Sequence, residues 1–331
     1  MIRKLTGRRP DTMPQLHLGA FGKHPAWDDH IPDLGLETER LTQAKQVLYV
    51  EGIGGNIDSG AWDELGPERT LPGFHHFFGW YDQGSWVFGR IWSSVDGKGR
   101  SRYPMAVCLE TPHVSFSEAA PLAFQRLERL EDQCRSAVTG DEVGAILSRH
   151  SAEMRTEMTT LMGSDDHPSG MSSLATLAQC TEMGADRTGL IRLLYHIDRD
   201  LPECCRQQGE SDRKTTWRTR AATLSSSAMR VPRCADSASG AFVAWATFLR
   251  QMLADGVPMW VICPIDADWV DLLLGPVTAS HFFCLRVPPA ELPLTTEVPY
   301  SVEDEFAERT RQLVEEATNE AIHELGSSNL G

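Results

Sequence analysis

Short apolar runs separated by turn residues characterise the first third of the chain. Residues 16–21 are apolar and lead into residues 22–29, where Gly, Pro and ionisable side chains are concentrated. Ser85–Trp92 and residues 103–109 are rich in aromatic and aliphatic side chains, and residues 96–99 (Asp-Gly-Lys-Gly) lie between them. The pattern predicts a strand that ends in a loop, followed later by a β-hairpin.

Helical spacing of apolar positions begins at residues 36–50, and the sequence Gly-Ile-Gly-Gly-Asn at 52–56 predicts a sharp end to that helix. A short helix over 58–65 and an aromatic-rich turn and strand over 71–80 are expected next. Helices are then predicted over 117–134, 141–161, 172–183, 188–197, 239–254 and 301–325, although 190–197 also fits a strand. Ser239 is the expected N-cap of the helix over 239–254, and Ser301 with Asp304 forms a capping box at the start of the last helix.

Three apolar runs at 259–265, 269–274 and 281–287 are separated by Asp266-Ala267-Asp268 and by Gly275-Pro276. This spacing predicts a three-stranded antiparallel meander. Its likeness to the hairpin over 85–109 has two explanations that both stay open, a diverged internal repeat and two ordinary hairpins.

A length of 331 residues fits two ordinary domains or one large one. Residues 163–170 are rich in Gly, Ser, Asp and Pro and predict a boundary, whereas 201–230 is polar and predicts a long loop. The predicted organisation is a disordered lead-in (1–15), an α/β domain (16–160), an α+β domain of similar size (170–300) and a C-terminal amphipathic helix with a tail (301–331).

Composition describes a globular protein, with 41% hydrophobic and 23% charged residues. The net charge of -15 argues against nucleic acid as a partner, because an acidic surface repels phosphates. The basic opening at Arg3, Lys4, Arg8 and Arg9 is short and is interpreted as a solvated tail.

Residues 1–14 have no apolar signal-peptide core, and no run approaches the roughly 18 apolar residues of a membrane span. We therefore expect a cytoplasmic protein without membrane insertion.

Common catalytic signatures are missing from the sequence. It contains no P-loop, G-x-S-x-G or H-E-x-x-H motif, and Gly52-x-Gly54-Gly55 lacks a third spaced glycine. Ser211-x-x-Lys214 lies in a polar stretch and is interpreted as a chance match. The eight cysteines form no C-x-x-C pair and are predicted to be buried thiols: Cys108, Cys134, Cys180, Cys204, Cys205, Cys234, Cys263 and Cys284. A non-enzymatic role without a cofactor is expected.

Two groups of side chains offer candidate chemistry. Carboxylates at Asp28 and Asp29 can meet a guanidinium at Arg100 or Arg102 in a charge-assisted pair that joins the first loop to the hairpin. The alternative is a metal-dependent hydrolase whose N and O ligands come from His24, Asp28, Asp29, His75 and His76. The aromatic group Phe74, Phe77, Phe78 and Trp80 suits either an interface or a core.

Residues 21–31, Phe-Gly-Lys-His-Pro-Ala-Trp-Asp-Asp-His-Ile, resemble the opening motif of the TagF/ImpM family of type VI secretion accessory proteins. In that family an aromatic-Gly-Lys-x-Pro segment precedes Gly-Asp-Phe. Residues 102–105, Arg-Tyr-Pro-Met, resemble the family's Arg-aromatic-Pro-apolar segment, at a similar gap of roughly seventy residues. Asp28 and His30 depart from the family's Gly and Phe, and the resemblance covers about residues 16–135.

The resemblance implies an α/β domain in which helices flank a sheet. Together with the predicted hairpins, the expected fold is α/β, with a mixed, largely antiparallel sheet flanked by helices and a second α+β half of similar size. It also implies a bacterial, virulence-associated role in which the protein restrains type VI secretion by binding a forkhead-associated scaffold. The positions carried over from the family, as candidates for shaping the loop or meeting a partner, are Gly22, Lys23, Pro25, Asp29, Arg102 and Pro104. Further candidates in the same two stretches of the chain are Trp27, Asp28 and Arg100. A third class, a structural subunit that oligomerises through the helix at 301–325, stays open, as does the oligomeric state.

Overall fold

The computed structural model describes residues 16–111, 116–161, 174–175, 177–178, 187–201, 226–254, 256–299 and 301–328. The expectations for the lead-in at 1–15, the boundary at 163–170 and the Ser211-x-x-Lys214 match lie outside these residues. Most of the helix expected over 172–183 and of the loop expected over 201–230 lies outside them as well.

Within the described residues, seven strands form one sheet in the order β1-β4-β3-β2-β6-β7-β5, and neighbouring strands are antiparallel throughout. The strands are β1 (His17–Gly22), β2 (His75–Asp82), β3 (Ser85–Trp92), β4 (Met105–Thr111), β5 (Ser227–Pro232), β6 (Met259–Pro264) and β7 (Trp269–Leu274). The predicted α/β class, with helices flanking a largely antiparallel sheet, is confirmed. Because β2 pairs with β6, strands from both predicted domains lie in the same sheet; the domain boundaries themselves stay a prediction.

The α-helices within the described ranges are α1 (Glu39–Ala44), α2 (Gly55–Asp58), α3 (Phe116–Ser136), α4 (Gly140–Leu161), α5 (Thr188–Asp200), α6 (Ala238–Met252) and α7 (Asp304–Ser328). None of these helices is both long and apolar enough to cross a bilayer. Ser237, not Ser239, caps α6, because its side chain accepts a hydrogen bond from the backbone N–H of Gly240.

The predicted break at residues 52–56 is wrong, because a π-helix over Lys45–Gly54 joins α1 to α2 without interruption. A Cβ on Gly52 would lie 2.6 Å from the Phe282 ring, and one on Gly55 would lie 2.9 Å from the Ala279 Cβ. The glycines therefore permit close packing of this helical segment and do not end it. The helix predicted over 58–65 is likewise replaced by turns after Asp58.

The prediction of a third strand in the meander is also wrong, since residues 281–287 fall mainly in a 3-10 helix, Ala279–Arg286. Thr278 forms a reciprocal capping box with His281, which sets the start of this helix. Phe282, Cys284 and Leu285 are buried against the π-helical side of the sheet. Their apolar run serves helix-on-sheet packing and adds no strand.

Apolar side chains alternate between the two faces of the sheet and create a core on each side. Phe77 contacts Phe242 of α6 at a ring distance of 5.0 Å, whereas Trp80 stacks on Trp260 at 5.3 Å on the other face. The aromatic group Phe74, Phe77, Phe78 and Trp80 is entirely buried and forms core, not an exposed interface. In α7, Val314 and Ala317 are also buried within the chain.

Arg230 on β5 and Asp271 on β7 form a buried bidentate ion pair, with contacts of 2.7 and 2.9 Å. The guanidinium also donates hydrogen bonds to the carbonyls of Val287 and Cys284. This pair therefore attaches the 3-10 helix to the end of the sheet that lies farthest from β1.

We expect Asp271→Ala to lower the free energy of unfolding by roughly 3–5 kcal/mol, because it leaves a buried guanidinium without its counter-charge. Glu308→Ala is the control, since Glu308 pairs with Arg311 in solvent and such pairs contribute about 0–1 kcal/mol. Urea unfolding measures both values. Equal losses in the two variants would contradict the assigned importance of the buried pair.

Candidate functional site

The first candidate loop begins at Gly22, whose φ of +110° lies in a region that favours glycine. A Cβ at this position would be 2.3 Å from the carbonyl oxygen of Pro104. Lys23 N donates to the same carbonyl at 3.1 Å, and Ile31 N returns to Gly22 O at 2.8 Å. Gly22 and Pro104 therefore shape the loop, as their place in the two sequence motifs implied.

The second candidate segment is organised by Asp96, a buried carboxylate that sequence reasoning treated only as part of a turn. Asp96 Oδ1 accepts hydrogen bonds from the N–H groups of Lys98 and Arg100, each at 3.0 Å. Gly97 N donates to Trp27 O at 2.7 Å, so the turn is attached directly to the first loop. An Asp opening an Asp-Gly-x-Gly turn was the available sequence signal.

Lys23 joins the two segments through its ammonium group, although its side chain is only 5% exposed. Its Nζ lies 2.9 Å from Asp96 Oδ2 and 2.5 Å from Asp29 Oδ1. Arg100 Nε contacts the same Asp96 oxygen at 2.7 Å. Two cations thus surround one buried carboxylate, and a second, exposed carboxylate completes the cluster. We call Lys23, Asp29, Asp96 and Arg100 the loop-junction cluster.

The electrostatics of the loop-junction cluster favour the charged forms of Lys23, Asp29 and Asp96. Burial alone would lower the pKa of Lys23, but its bonds to Asp29 and Asp96 outweigh this effect and raise it. The Lys23 hydrogen bond is the main reason that the pKa of Asp29 falls to about 2. Burial acts to raise the pKa of Asp96, and the bonds from Lys23 and Arg100 reverse this and lower it.

The expected pairing of Asp28 and Asp29 with Arg100 and Arg102 is correct only in part. Arg100 Nη2 lies 3.2 Å from Asp29 Oδ1 and donates to the backbone carbonyl of Asp28 at 2.8 Å. Arg102 points elsewhere and pairs with Asp63 at 2.6 Å. Asp29 is 68% exposed, so no buried bidentate pair forms there.

Trp27 and His24 fix the far side of the first loop. The Trp27 ring packs so closely on the start of α4 that a Cβ on Gly140 would lie 2.7 Å from it. His24 Nδ1 accepts the Ala26 N–H at 3.1 Å, so Nε2 carries the proton and donates to Cys134 O at 2.8 Å. Both nitrogens of the buried ring are therefore engaged. Pro25 is exposed at the tip of the loop.

The five residues of the metal alternative do not converge. His75 lies in register with Gly22 across three strand spacings, about 14 Å, through Trp92 and Met105. His75 Nδ1 contacts Asp266 at 2.6 Å, and burial lowers the pKa of His76 to about 3. Over the described ranges, no group of three or more His, Cys, Asp or Glu is arranged to hold a metal ion.

A pocket of about 270 Å³ opens beside the loop-junction cluster. It lies between the first loop, the π-helix and the Arg-Tyr-Pro segment, and three rings line it: His30, Tyr49 and Tyr103. The ring centroids are 5.2 Å apart for His30–Tyr103, 5.7 Å for Tyr49–Tyr103 and 5.9 Å for His30–Tyr49. Tyr49 Oη donates to Pro104 O at 3.1 Å, which holds its ring in place.

Comparison with protein-family models finds no match, and comparison with curated proteins finds none either.

We expect Lys23→Met to lower the free energy of unfolding by roughly 1.5–3 kcal/mol, since buried Asp96 would lose one charged hydrogen-bond donor and keep Arg100 and two backbone N–H groups. Lys45→Met is the matched control: Lys45 also pairs with an aspartate, Asp33, at 2.6 Å, but in a solvent-exposed position. Its loss is expected to be about 0–1 kcal/mol. Urea unfolding of both variants makes the comparison, and a Lys23→Met loss as small as the control's would refute a structural role for the cluster.

The lowered pKa values of Asp29 and Asp96 predict a steep acid dependence of stability. Their contribution is full above the ordinary carboxyl pKa of 3.8 and is lost as pH falls through the lower folded-state values. The unfolding free energy of the wild-type chain should therefore fall more steeply from about pH 5 to about pH 2 than that of the double variant Asp29→Asn/Asp96→Asn. Urea titrations across this range test the slope, and parallel curves would exclude the assigned protonation states.

Proposed function

We propose that this chain is a non-enzymatic accessory protein of a type VI secretion system that acts by protein–protein interaction. The observation that carries the proposal is the union of the two segments that resemble the TagF/ImpM family. Although residues 21–31 and 102–105 are far apart in sequence, Gly22 and Lys23 of the first segment pack against Pro104 of the second, and Lys23 also binds Asp96 in the turn that precedes it. If each segment only formed a local turn, the two segments would not need to lie on the same surface.

The properties of that surface support binding in preference to catalysis. His24 and His75 have ring nitrogens committed to internal contacts, as described above, and His76 Nδ1 accepts the N–H of His75 at 3.1 Å. Asp29 and Arg100 reach solvent with side-chain exposures of 68% and 53%. Exposed charged groups on a rigid, hydrogen-bonded loop suit the polar rim of a protein interface. The partner implied by the family resemblance is a forkhead-associated scaffold, whose capture would restrain assembly of a bacterial secretion apparatus in the cytoplasm.

The test is an affinity purification of the C-terminally tagged chain from its native cell, read by mass spectrometry. We expect recovery of a forkhead-associated scaffold or other secretion-system components. The double charge reversal Asp29→Lys/Arg100→Glu should reduce this recovery at least about tenfold, since like charges at an interface cost several kcal/mol.

The matched control is Glu308→Lys/Arg311→Glu, which reverses an exposed pair on α7. It should leave recovery unchanged. Circular dichroism confirms that each variant is folded before it is compared. Absence of secretion-system components from the wild-type sample, or equal losses in the two double variants, would count against the proposal.

A further inference from the structure

The pocket beside the loop-junction cluster combines aromatic rings with carboxylates. His30, Tyr49 and Tyr103 meet edge to face or tilted, and Asp33 and Asp58 share the lining with them. Aromatic faces carry negative electrostatic potential and attract cations within about 6 Å of the ring centre. The combination therefore suits a positively charged ligand group.

The local charges leave one carboxylate available. Lys45 Nζ is held by both oxygens of Asp33, at 2.6 and 2.7 Å, and Lys23 is held by Asp29 and Asp96. Asp58 is exposed and forms no ion pair with any residue that the structure describes. Burial, and next the charge of Asp58, raise the pKa of Tyr103, which is consistent with a carboxylate close to that hydroxyl.

The ring of His30 does not oppose a cation at neutral pH. Burial, together with the positive charge of Lys23, lowers its pKa even though Asp29 bonds its Nδ1 at 3.1 Å. A neutral imidazole presents an aromatic surface and no repulsive charge. Val50, which is 46% exposed at the pocket, adds an apolar surface for methylene groups.

The volume of the pocket and the chemistry of its lining limit which ligand groups fit. A volume of about 270 Å³ is below the roughly 300–1,000 Å³ typical of small-molecule sites, so one side chain fits better than a whole metabolite. Arginine matches the lining better than lysine, because its planar guanidinium stacks on aromatic rings and forks to a carboxylate.

We propose that this pocket receives an arginine side chain from the protein partner, with the guanidinium against Tyr49 and Tyr103 and one edge bonded to Asp58. The inference rests on the proposed function, since the pocket adjoins the loop-junction cluster that carries it. It adds the chemistry that the partner must present, an exposed arginine that can enter a pocket of about 270 Å³.

The probe is Nα-acetyl-arginine amide, compared with Nα-acetyl-citrulline amide, which has nearly the same shape and no charge. Binding to the full chain is followed by NMR shifts of the His30 and tyrosine rings. We expect saturable shifts with the arginine probe and affinity at least about threefold weaker with the citrulline probe.

Two variants assign the site. Asp58→Asn should weaken the arginine probe about two- to fivefold and leave the citrulline probe unchanged, whereas Asp132→Asn, an exposed carboxylate on α3, should change neither. Tyr103→Leu should also weaken arginine binding, with the melting temperature reporting whether the chain remains folded. Equal affinity for the two probes, no saturable shift, or wild-type affinity in Asp58→Asn would overturn the inference.

The purification described above separates this inference from the function on which it rests. Recovery of secretion-system components by a chain that does not bind the arginine probe would remove the arginine site and leave the function standing. Arginine binding without such components would establish the pocket and remove the proposed function.

Discussion

The contact between the Lys23 ammonium and the Asp96 carboxylate is the constraint on which the candidate surface depends. Both side chains are buried, yet each belongs to a connecting segment and not to the core of the sheet. Desolvating two opposite charges is costly, so such a pair is maintained only where further hydrogen bonds compensate. Asp96 accepts such bonds from two backbone N–H groups and from Arg100, and Lys23 donates one more to Asp29.

That constraint has consequences for the neighbouring surface. Because the first loop is attached to both the β3–β4 connection and the Pro104 carbonyl, His30 is held against Tyr103 at a fixed angle. Tyr49 of the π-helix also lines the pocket, next to His30 and Tyr103. Gly52 allows that helix to approach Phe282 closely. The pocket is thus assembled from three separate segments whose positions are set by buried contacts behind it. Preorganisation of this kind lowers the conformational-entropy cost of binding.

Sequence patterns predicted most strands and helices, because alternation and helical spacing are local properties. These patterns gave a wrong prediction where a contact with a residue distant in sequence determines the local structure. The local pattern predicts a helix end at Gly52, since no local signal indicates that Phe282 packs against this residue. The sequence predicts that the first loop meets the hairpin turn, but it does not indicate the central role of Asp96, because an aspartate in a turn has the same local pattern whether it is buried or solvated. The sequence leaves the choice between Arg100 and Arg102 open, because spacing alone does not give the direction of a side chain in a turn.

Hydrogen exchange of the chain alone and mixed with a purified forkhead-associated scaffold tests most directly whether the joined segments form the partner-binding surface. Amides protected by a partner exchange more slowly, and the effect is read segment by segment. The expected result is slower exchange on complex formation in residues 22–31 and 96–104, with little change in α7. Protection confined to other segments, with exchange in these two unchanged, would contradict the assignment of this surface to the partner.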